Sequence, residues 1–311
     1  MKPKVYIDGQ SGTTGLQIWE RLEGREDIQL LRIDDEKRHD DEERKKFLNA
    51  ADVAFLCLPD DGARQAVALV ENPNTCIIDA STAHRTAPGW VYGYPELSEE
   101  QRAAIKGAKR IANPGCHATG LISSAAPLVR MGILPSDYPL TCFSLTGYSG
   151  GGKQMIAEYE AEDSDGLLAS GWIYGLNQNH KHLPEMERIC GLTHPPIFVP
   201  VVGDFYKGMA TTIMLQRDLL TRKLSGRELR DALASYYAEQ KFVSVAPYGG
   251  DGPVLFAAML AGTNQLKLEV AGNDEQITVT ALFDNLGKGA SGAAVQNMNL
   301  VLGFDEGAGL E

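Results

Sequence analysis

The feature that most constrains this chain is a glycine-spaced turn close to its N-terminus. Lys4-Val5-Tyr6-Ile7-Asp8 reads as a short apolar strand, and Leu16-Gln17-Ile18-Trp19-Glu20-Arg21-Leu22 carries apolar residues at helical spacing. Between them lies Gly9-Gln10-Ser11-Gly12-Thr13-Thr14-Gly15. A G-x-x-G-x-x-G turn leaving a first strand lets backbone approach a pyrophosphate, and the N–H groups and positive dipole of the following helix then face the anion. The spacing departs from the commoner G-x-G-x-x-G, and the alternative is a tight turn that only allows close helix packing. Its place at the first strand-helix junction favours the dinucleotide, with Gly9, Ser11, Gly12, Thr13, Thr14 and Gly15 as candidate contacts.

Further strands are expected at residues 28–33, 53–58 and 76–79, separated by helical or polar segments. Strands alternating with helices imply an α/β, Rossmann-like, doubly wound parallel sheet. After Cys116 the pattern changes. Residues 119–130 read as a helix, and 140–146, 197–202, 211–216, 266–270 and 276–283 as strands of a mostly antiparallel sheet. The expectation is therefore a dinucleotide-binding domain over 1–116, completed by a C-terminal helical segment within 287–311, and an α+β catalytic and oligomerisation domain over 117–286.

Composition narrows the class. With 311 residues, 43% hydrophobic and 23% charged, the chain is long enough for two cores. No apolar run approaches the roughly 20 residues that span a bilayer, and the N-terminus does not read as a signal peptide, so no membrane partner and a cytoplasmic location are expected. Five cysteines, an odd number with no C-x-x-C pair, imply reduced thiols instead of a disulfide framework or zinc knuckle. A formal charge of −12 argues against nucleic acid as a partner and requires a local cluster of cations for any anionic substrate.

The end of the second strand should meet the adenosine ribose, and it offers both signs: Arg32, Asp34, Asp35, Lys37 and Arg38. An acid there suits the free 2′-hydroxyl of NAD, whereas Arg32 or Arg38 with Ser11 suits the 2′-phosphate of NADP. Cys116 stands in Asn113-Pro114-Gly115-Cys116-His117, turn chemistry just ahead of a helix, where backbone N–H groups and the helix dipole favour a thiolate. Cys57, Cys76 and Cys142 lie in apolar strands and read as small buried hydrophobes.

A nucleophilic thiol needs a proton acceptor, and Asn179-His180-Lys181-His182-Leu183-Pro184-Glu185 offers two imidazoles and a carboxylate. Without a partnered Cys or acidic pair at ligand spacing, no metal is expected there. His117 is expected to point away from the thiol in a surface or packing role. Asp79-Ala80-Ser81-Thr82-Ala83-His84-Arg85 follows the fourth strand, where Arg85 is either an anchor for phosphate or carboxylate or a surface ion pair. Asp284-Asn285-Leu286-Gly287-Lys288-Gly289 either closes over a nicotinamide or allows tight helix packing.

Taken in order, Gly-Gln-Ser-Gly-Thr-Thr-Gly at 9–15, Asp-Ala-Ser-Thr-Ala-His-Arg at 79–85, Asn-Pro-Gly-Cys at 113–116, His-Lys-His-Leu-Pro-Glu at 180–185 and Asn-Leu-Gly-Lys-Gly-Ala-Ser-Gly at 285–292 resemble the N-acetyl-gamma-glutamyl-phosphate reductase family in its shorter variety. The resemblance implies NADPH-dependent reduction of N-acetyl-L-glutamyl 5-phosphate to the 5-semialdehyde with release of phosphate, in arginine biosynthesis. It implies Cys116 as nucleophile, His180 or His182 as base and acid with Glu185 beside them, and Arg85, Asn113 and Lys207 as substrate contacts. It also implies Ser81, Asn285, Gly287 and Gly289 at the cofactor, NADP(H) as that cofactor, and a homotetramer or homodimer. The longer variety has His-Arg-His-Thr-Pro-Glu where this chain has His-Lys-His-Leu-Pro-Glu. Two rivals are an aspartate-semialdehyde dehydrogenase and a non-catalytic dinucleotide-binding redox sensor.

Overall fold

A computed structural model of the chain describes residues 2–162, 166–250 and 252–310. Val5, Tyr6 and Ile7 are buried in β1 (Lys4–Asp8), and α1 (Thr13–Leu22) buries Gly15, Ile18 and Leu22, the spacing of one helical face. The chain continues through β2 (Gln29–Leu31), α2 (Asp41–Ala50), β3 (Val53–Leu56), α3 (Asp60–Leu69), β4 (Cys76–Asp79), β5 (Val91–Tyr92), α4 (Glu99–Gly107) and β6 (Arg110–Ala112). These strands form one sheet of order β2-β1-β3-β4-β6-β5 in which every pairing is parallel.

Parallel strands are covered on both faces, which is why all four residues of apolar β3 are buried. The helices α2 and α3 pack together over a core that includes Tyr6, Leu48, Ala54, Leu56, Ala63 and Ile77. Strand order reverses at β1, which has β2 on one side and β3 on the other. The carboxyl ends of β1 and β3 therefore flank the crevice where open sheets bind ligands.

A second unit, Cys116–Gly289, opens with α5 (Cys116–Arg130). It goes on through β7 (Thr141–Gly147), α6 (Gly152–Glu160), β8 (Trp172–Ile173), α7 (Leu183–Cys190), β9 (Ile197–Gly203), β10 (Met209–Gln216), α8 (Gly226–Tyr236), β11 (Val243–Val245), β12 (Leu266–Gly272) and β13 (Gln276–Phe283). Its sheet has the order β11-β12-β13-β10-β7-β9-β8 and is mixed: β7 with β9 and β11 with β12 are parallel, the other pairs antiparallel. The first unit ends at Gly115 and resumes at Ala290, and within it α9 (Gly292–Leu302) packs against α1 and α4.

Several boundaries differ from the sequence reading. The helix expected from Thr119 begins at Cys116, because the Asn-Pro-Gly turn ends there and Cys116 is already helical. The second and third strands stop at Leu31 and Leu56, short of the apolar runs that contain them. The C-terminal helical segment expected within 287–311 opens with one π-helical turn, Gly287–Ser291, before α9. The strands β5, β6, β8 and β11 escaped the reading because two or three residues carry no readable alternation. Among the described residues no helix is long and apolar enough to cross a membrane.

Candidate active site

In the first unit, the glycine turn is dictated by close packing. Gly9 has φ +86°, and a Cβ there would lie 2.4 Å from the Cys57 carbonyl oxygen. A Cβ on Gly15 would lie 2.3 Å from the Gly9 carbonyl oxygen, so a side chain at either position would push β1, β3 and α1 apart. Gly12, the N-cap of α1, meets only ordinary contacts, at 3.5 and 3.7 Å, and makes no side-chain cap hydrogen bond. The first N–H groups of α1, in Thr13 and Thr14, therefore offer donors to an anion.

Gly9, Ser11, Gly12, Arg38 and Arg44 line a cavity of about 370 Å³ beside that N-terminus. A neighbouring groove of about 260 Å³ is lined by Ser11, Trp19, Arg32, Asp35 and Arg38. The Arg32 guanidinium lies over the Trp19 ring, 5.7 Å from its centroid, and Arg38 Nε is 3.2 Å from His39 Nε2. A pyrophosphate cradle next to a cationic groove fits a dinucleotide. Sequence reasoning missed Arg44, whose Nη2 is 2.9 Å from Asp8 Oδ2 in a buried ion pair at the cavity wall. Burial pushes the Asp8 carboxyl up, with Arg44 opposing. An acid closing an otherwise apolar strand was the available signal.

The Asp79–Arg85 turn is tied to itself. Buried Asp79 accepts from Ser81 N and Oγ at 2.9 and 2.7 Å and lies 2.6 Å from His84 Nδ1, whose ring stacks on Trp90. Arg85 donates from Nε to the Asn113 carbonyl and from Nη2 to the Ala80 carbonyl, at 3.0 and 3.1 Å. The Asn113 side chain donates to the Ala290 carbonyl and accepts from Asn297. Arg85 and Asn113 thus brace this turn, and Ser81 caps Asp79.

In the second unit, Cys116 is the first residue of α5 and is half-buried. α5 lies tight on β10 because Gly120 has no side chain: a Cβ there would be 2.5 Å from Thr211. Gly289 leaves room at Cys116, since its Cβ would lie 3.0 Å from Cys116 Cβ, and a Cβ on Gly287 would lie 2.2 Å from the Thr263 carbonyl oxygen. Buried Asn285 accepts from Gly208 N and donates to Ser149 Oγ. Lys207 Nζ is 3.9 Å from Asp284 Oδ2 and partly exposed. Within this unit, Asn285, Gly287 and Gly289 serve loop packing.

Three imidazoles gather in this unit, one of them His117, the residue after Cys116. The His180 and His182 rings are 4.7 Å apart, and the His117 ring is 5.6 and 5.8 Å from them. The His182 backbone N–H donates to His180 Nδ1 at 3.2 Å, which puts the proton of a neutral His180 on Nε2. His182 is the N-cap of α7, and buried Glu185 stands in the first turn. Of the surface or packing role expected of His117, it takes the second: it is buried, with Nδ1 2.7 Å from Ser144 Oγ and Nε2 2.7 Å from Tyr174 Oη. Burial, with the charges of His180 and Lys181, pushes its pKa down to about 3.

Burial pushes the Tyr174 phenol above the ordinary tyrosine range, with the charge of Cys116 adding to the effect. The thiols of Cys57, Cys142 and Cys190 are likewise pushed up by burial, and that of Cys76 to about 11. Among the described residues no group of three or more His, Cys, Asp or Glu is arranged to hold a metal ion.

Known proteins first give the class. Residues 34–105 match the family described as semialdehyde dehydrogenase, NAD binding domain, and residues 116–285 match semialdehyde dehydrogenase, dimerisation domain. Solved structures with this fold include aspartate semialdehyde dehydrogenase II from Vibrio cholerae, complexed with ASA, at TM-score 0.74 and 16% identity over 97% of this chain and 98% of that one. Another is aspartate semialdehyde dehydrogenase with NADP from Candida albicans, at TM-score 0.67 and 14% identity over 97% and 99% of the two chains.

Within that class the chain belongs to the N-acetyl-gamma-glutamyl-phosphate reductase family. It is 49% identical over 320 aligned residues, 99% of each chain, to N-acetyl-gamma-glutamyl-phosphate reductase 2 of Nostoc sp.. It is also 49% identical to the reductase of Mesorhizobium japonicum over 98% of this chain and 100% of that one.

Proposed function

We propose that the chain reduces N-acetyl-L-glutamyl 5-phosphate to N-acetyl-L-glutamate 5-semialdehyde with release of phosphate, in cytoplasmic arginine biosynthesis. The single observation that carries the chemistry is a half-buried cysteine opening a buried helix beside a cluster of imidazoles, in a chain of this family.

The thiol of Cys116 loses its proton to the histidine pair. His182 is the acceptor, because the Nδ1 lone pair of His180 is engaged by the His182 backbone N–H. Glu185, buried in the first turn of the same helix, supplies a carboxylate near the imidazolium that forms. The Cys116 thiolate attacks the acyl carbon, phosphate leaves with its bonding electrons, and a thioester stays on the sulfur. When bound, the nicotinamide supplies hydride to that thioester carbon. The carbon–sulfur bond then breaks as the oxygen pair reforms the carbonyl, and the protonated imidazole returns its proton to the departing sulfur, which frees aldehyde and restores the Cys116 thiol. Arg85 and Lys207 supply positive charge for phosphate and substrate carboxylate in a chain whose net charge is −12.

The cofactor is NADP(H). Arg32 and Arg38 with Ser11 offer two guanidinium groups and a hydroxyl to a 2′-phosphate in their shared groove. The protein is a homodimer or homotetramer whose subunits pair through the open face of the second sheet. There Ile197, Thr141 and Met214 form one cross-strand row and Val199, Phe143 and Thr212 the next. Phe143 is 38% exposed, Met214 41% and Ile197 58%, an apolar strip for a second copy to cover.

The test is to trap the intermediate. Incubation with N-acetylglutamate semialdehyde and NADP without phosphate should leave an N-acetylglutamyl adduct on the peptide that contains Cys116, detected by mass spectrometry. An adduct on another cysteine would overturn the assignment.

A further inference from the structure

Beside the nucleophile runs a chain of hydrogen bonds that the cysteine–histidine scheme does not use. Tyr174 Oη is 2.7 Å from His117 Nε2, His117 Nδ1 is 2.7 Å from Ser144 Oγ, and Ser144 Oγ is 2.7 Å from Thr211 Oγ1. Ser144 and Thr211 are fully buried and His117 is 2% exposed, so desolvation makes any break in the chain costly. Four separate elements supply it. Tyr174 follows β8, His117 follows Cys116 in α5, and Ser144 and Thr211 are register partners on β7 and β10.

A neutral imidazole has one N–H, so the two histidine bonds have two self-consistent proton arrangements, of which the chain can take the following forms. In the first, Tyr174 donates to His117, His117 to Ser144 and Ser144 to Thr211, and the phenol presents only lone pairs outward. In the second every bond reverses. Thr211 donates to Ser144, Ser144 to Nδ1 and Nε2–H to the phenol oxygen, which frees the phenolic hydrogen for a group outside the chain. Burial keeps His117 neutral and Tyr174 protonated through the working pH range, so the chain carries no net charge and does not compete with His182 as base. Tyr174 is tied to the nucleophile's own helix turn, since its hydrogen-bond partner His117 is the residue that follows Cys116.

We infer that Tyr174 donates its phenolic hydrogen to the oxyanion formed when the Cys116 sulfur adds to the acyl carbon, and that His117, Ser144 and Thr211 are positioning residues holding the phenol for that bond. This rests on the acyl-transfer reading above. In the step, the S–C bond forms, the carbonyl π pair moves onto oxygen, and the Tyr174 O–H bonds to it. When that pair returns, the C–O bond to phosphate breaks and phosphate takes the electrons. No proton is lost from Tyr174 and no redox partner is needed. A donor that meets charge only in the transition state acts on kcat more than on KM.

The experiment compares wild type, Tyr174→Phe, Ser144→Ala and the double variant with whichever of N-acetylglutamate semialdehyde and aspartate semialdehyde the wild type oxidises. Thermal melts and NADP binding confirm folding. Tyr174→Phe should lower kcat about 100-fold with KM within about threefold, the size of losing one oxyanion donor. Ser144→Ala should lower kcat about 10-fold, and the double variant should be no slower than Tyr174→Phe, because Ser144 acts through the phenol. A folded Tyr174→Phe enzyme with kcat within threefold of wild type, or effects that multiply in the double variant, would overturn the inference while leaving the activity intact. Wild-type silence with both aldehydes would remove the activity reading and this inference together.

Discussion

The helices α1 and α5 both begin at a tight turn and both present the positive end of a helix, yet they use it on different objects. At α1 the sequence removes side chains: Gly9 and Gly15 leave no room for a Cβ, and Gly12 caps the helix without a side-chain bond. The field is left for a ligand's phosphates. At α5 the sequence places a side chain in the first helical position, so the same field acts on the protein's own sulfur. The following helix bodies differ accordingly. α1 buries one stripe, whereas α5 is buried from His117 to Leu128 and held close to β10 by Gly120. On the proposed mechanism the ligand site rests on a helix with one buried stripe, and the nucleophile on one buried nearly throughout.

The largest effect should separate the two helices outright. Cys116→Ser should cut turnover by at least about 10⁴-fold while NADP affinity stays within about twofold, measured by steady-state kinetics and calorimetry. Appreciable residual turnover would break the contrast, because the α5 terminus would then not be where the chemistry happens.

Next in size is acid sensitivity, to which the α5 region contributes through buried His117. His117 is held near 3 in the folded chain against about 6.5 unfolded, so below pH 6.5 the unfolded chain takes up a proton that the folded one refuses. This contribution is intact above pH 6.5 and is lost as pH falls toward 3, at about 1.4 kcal/mol per pH unit. Urea denaturation of His117→Gln between pH 7 and pH 4 should show a shallower loss than wild type; an equal slope would place the acid sensitivity elsewhere.

Gly9→Ala probes the other terminus. Its φ of +86° and the 2.4 Å approach to the Cys57 carbonyl should together cost about 2–3 kcal/mol of stability and weaken NADP binding. The rate of Cys116 alkylation should stay unchanged, and slower alkylation would mean that the two termini are not independent. The smallest effect sharpens the ligand side: Arg32→Ser or Arg38→Ser should reduce the preference for NADP over NAD about 10-fold, the worth of one charge-assisted hydrogen bond. Unchanged preference in both would move the 2′-phosphate away from this groove.

How much was legible in the sequence follows from where each signal resides. The first sheet was readable because β1, β3 and β4 are apolar runs between helical segments, and Gly9–Gly15 is contiguous in the chain. Cys116 and the His180–His182 pair were legible as local motifs. The Tyr174–His117–Ser144–Thr211 chain was not. Its members are joined by the β7–β10 register and the α5 packing, and 67 residues separate Ser144 from Thr211. His117 was read as a surface or packing residue because nothing in its neighbours announces that both ring nitrogens find partners. Arg44 was hidden for the same reason, since its partner Asp8 lies 36 residues away. Arg85 and Asn113 were legible as residues of the turn, but their bonds to backbone carbonyls depend on β4 and β6 lying side by side.

The most direct test of the central claim is phosphate-dependent formation of NADPH absorbance from N-acetylglutamate semialdehyde, with aspartate semialdehyde assayed alongside. The account predicts oxidation of the acetylated aldehyde, dependence on phosphate, and little turnover of the amine-bearing one. Oxidation of aspartate semialdehyde alone would contradict the substrate assignment, and silence with both despite tight NADPH binding would contradict catalysis.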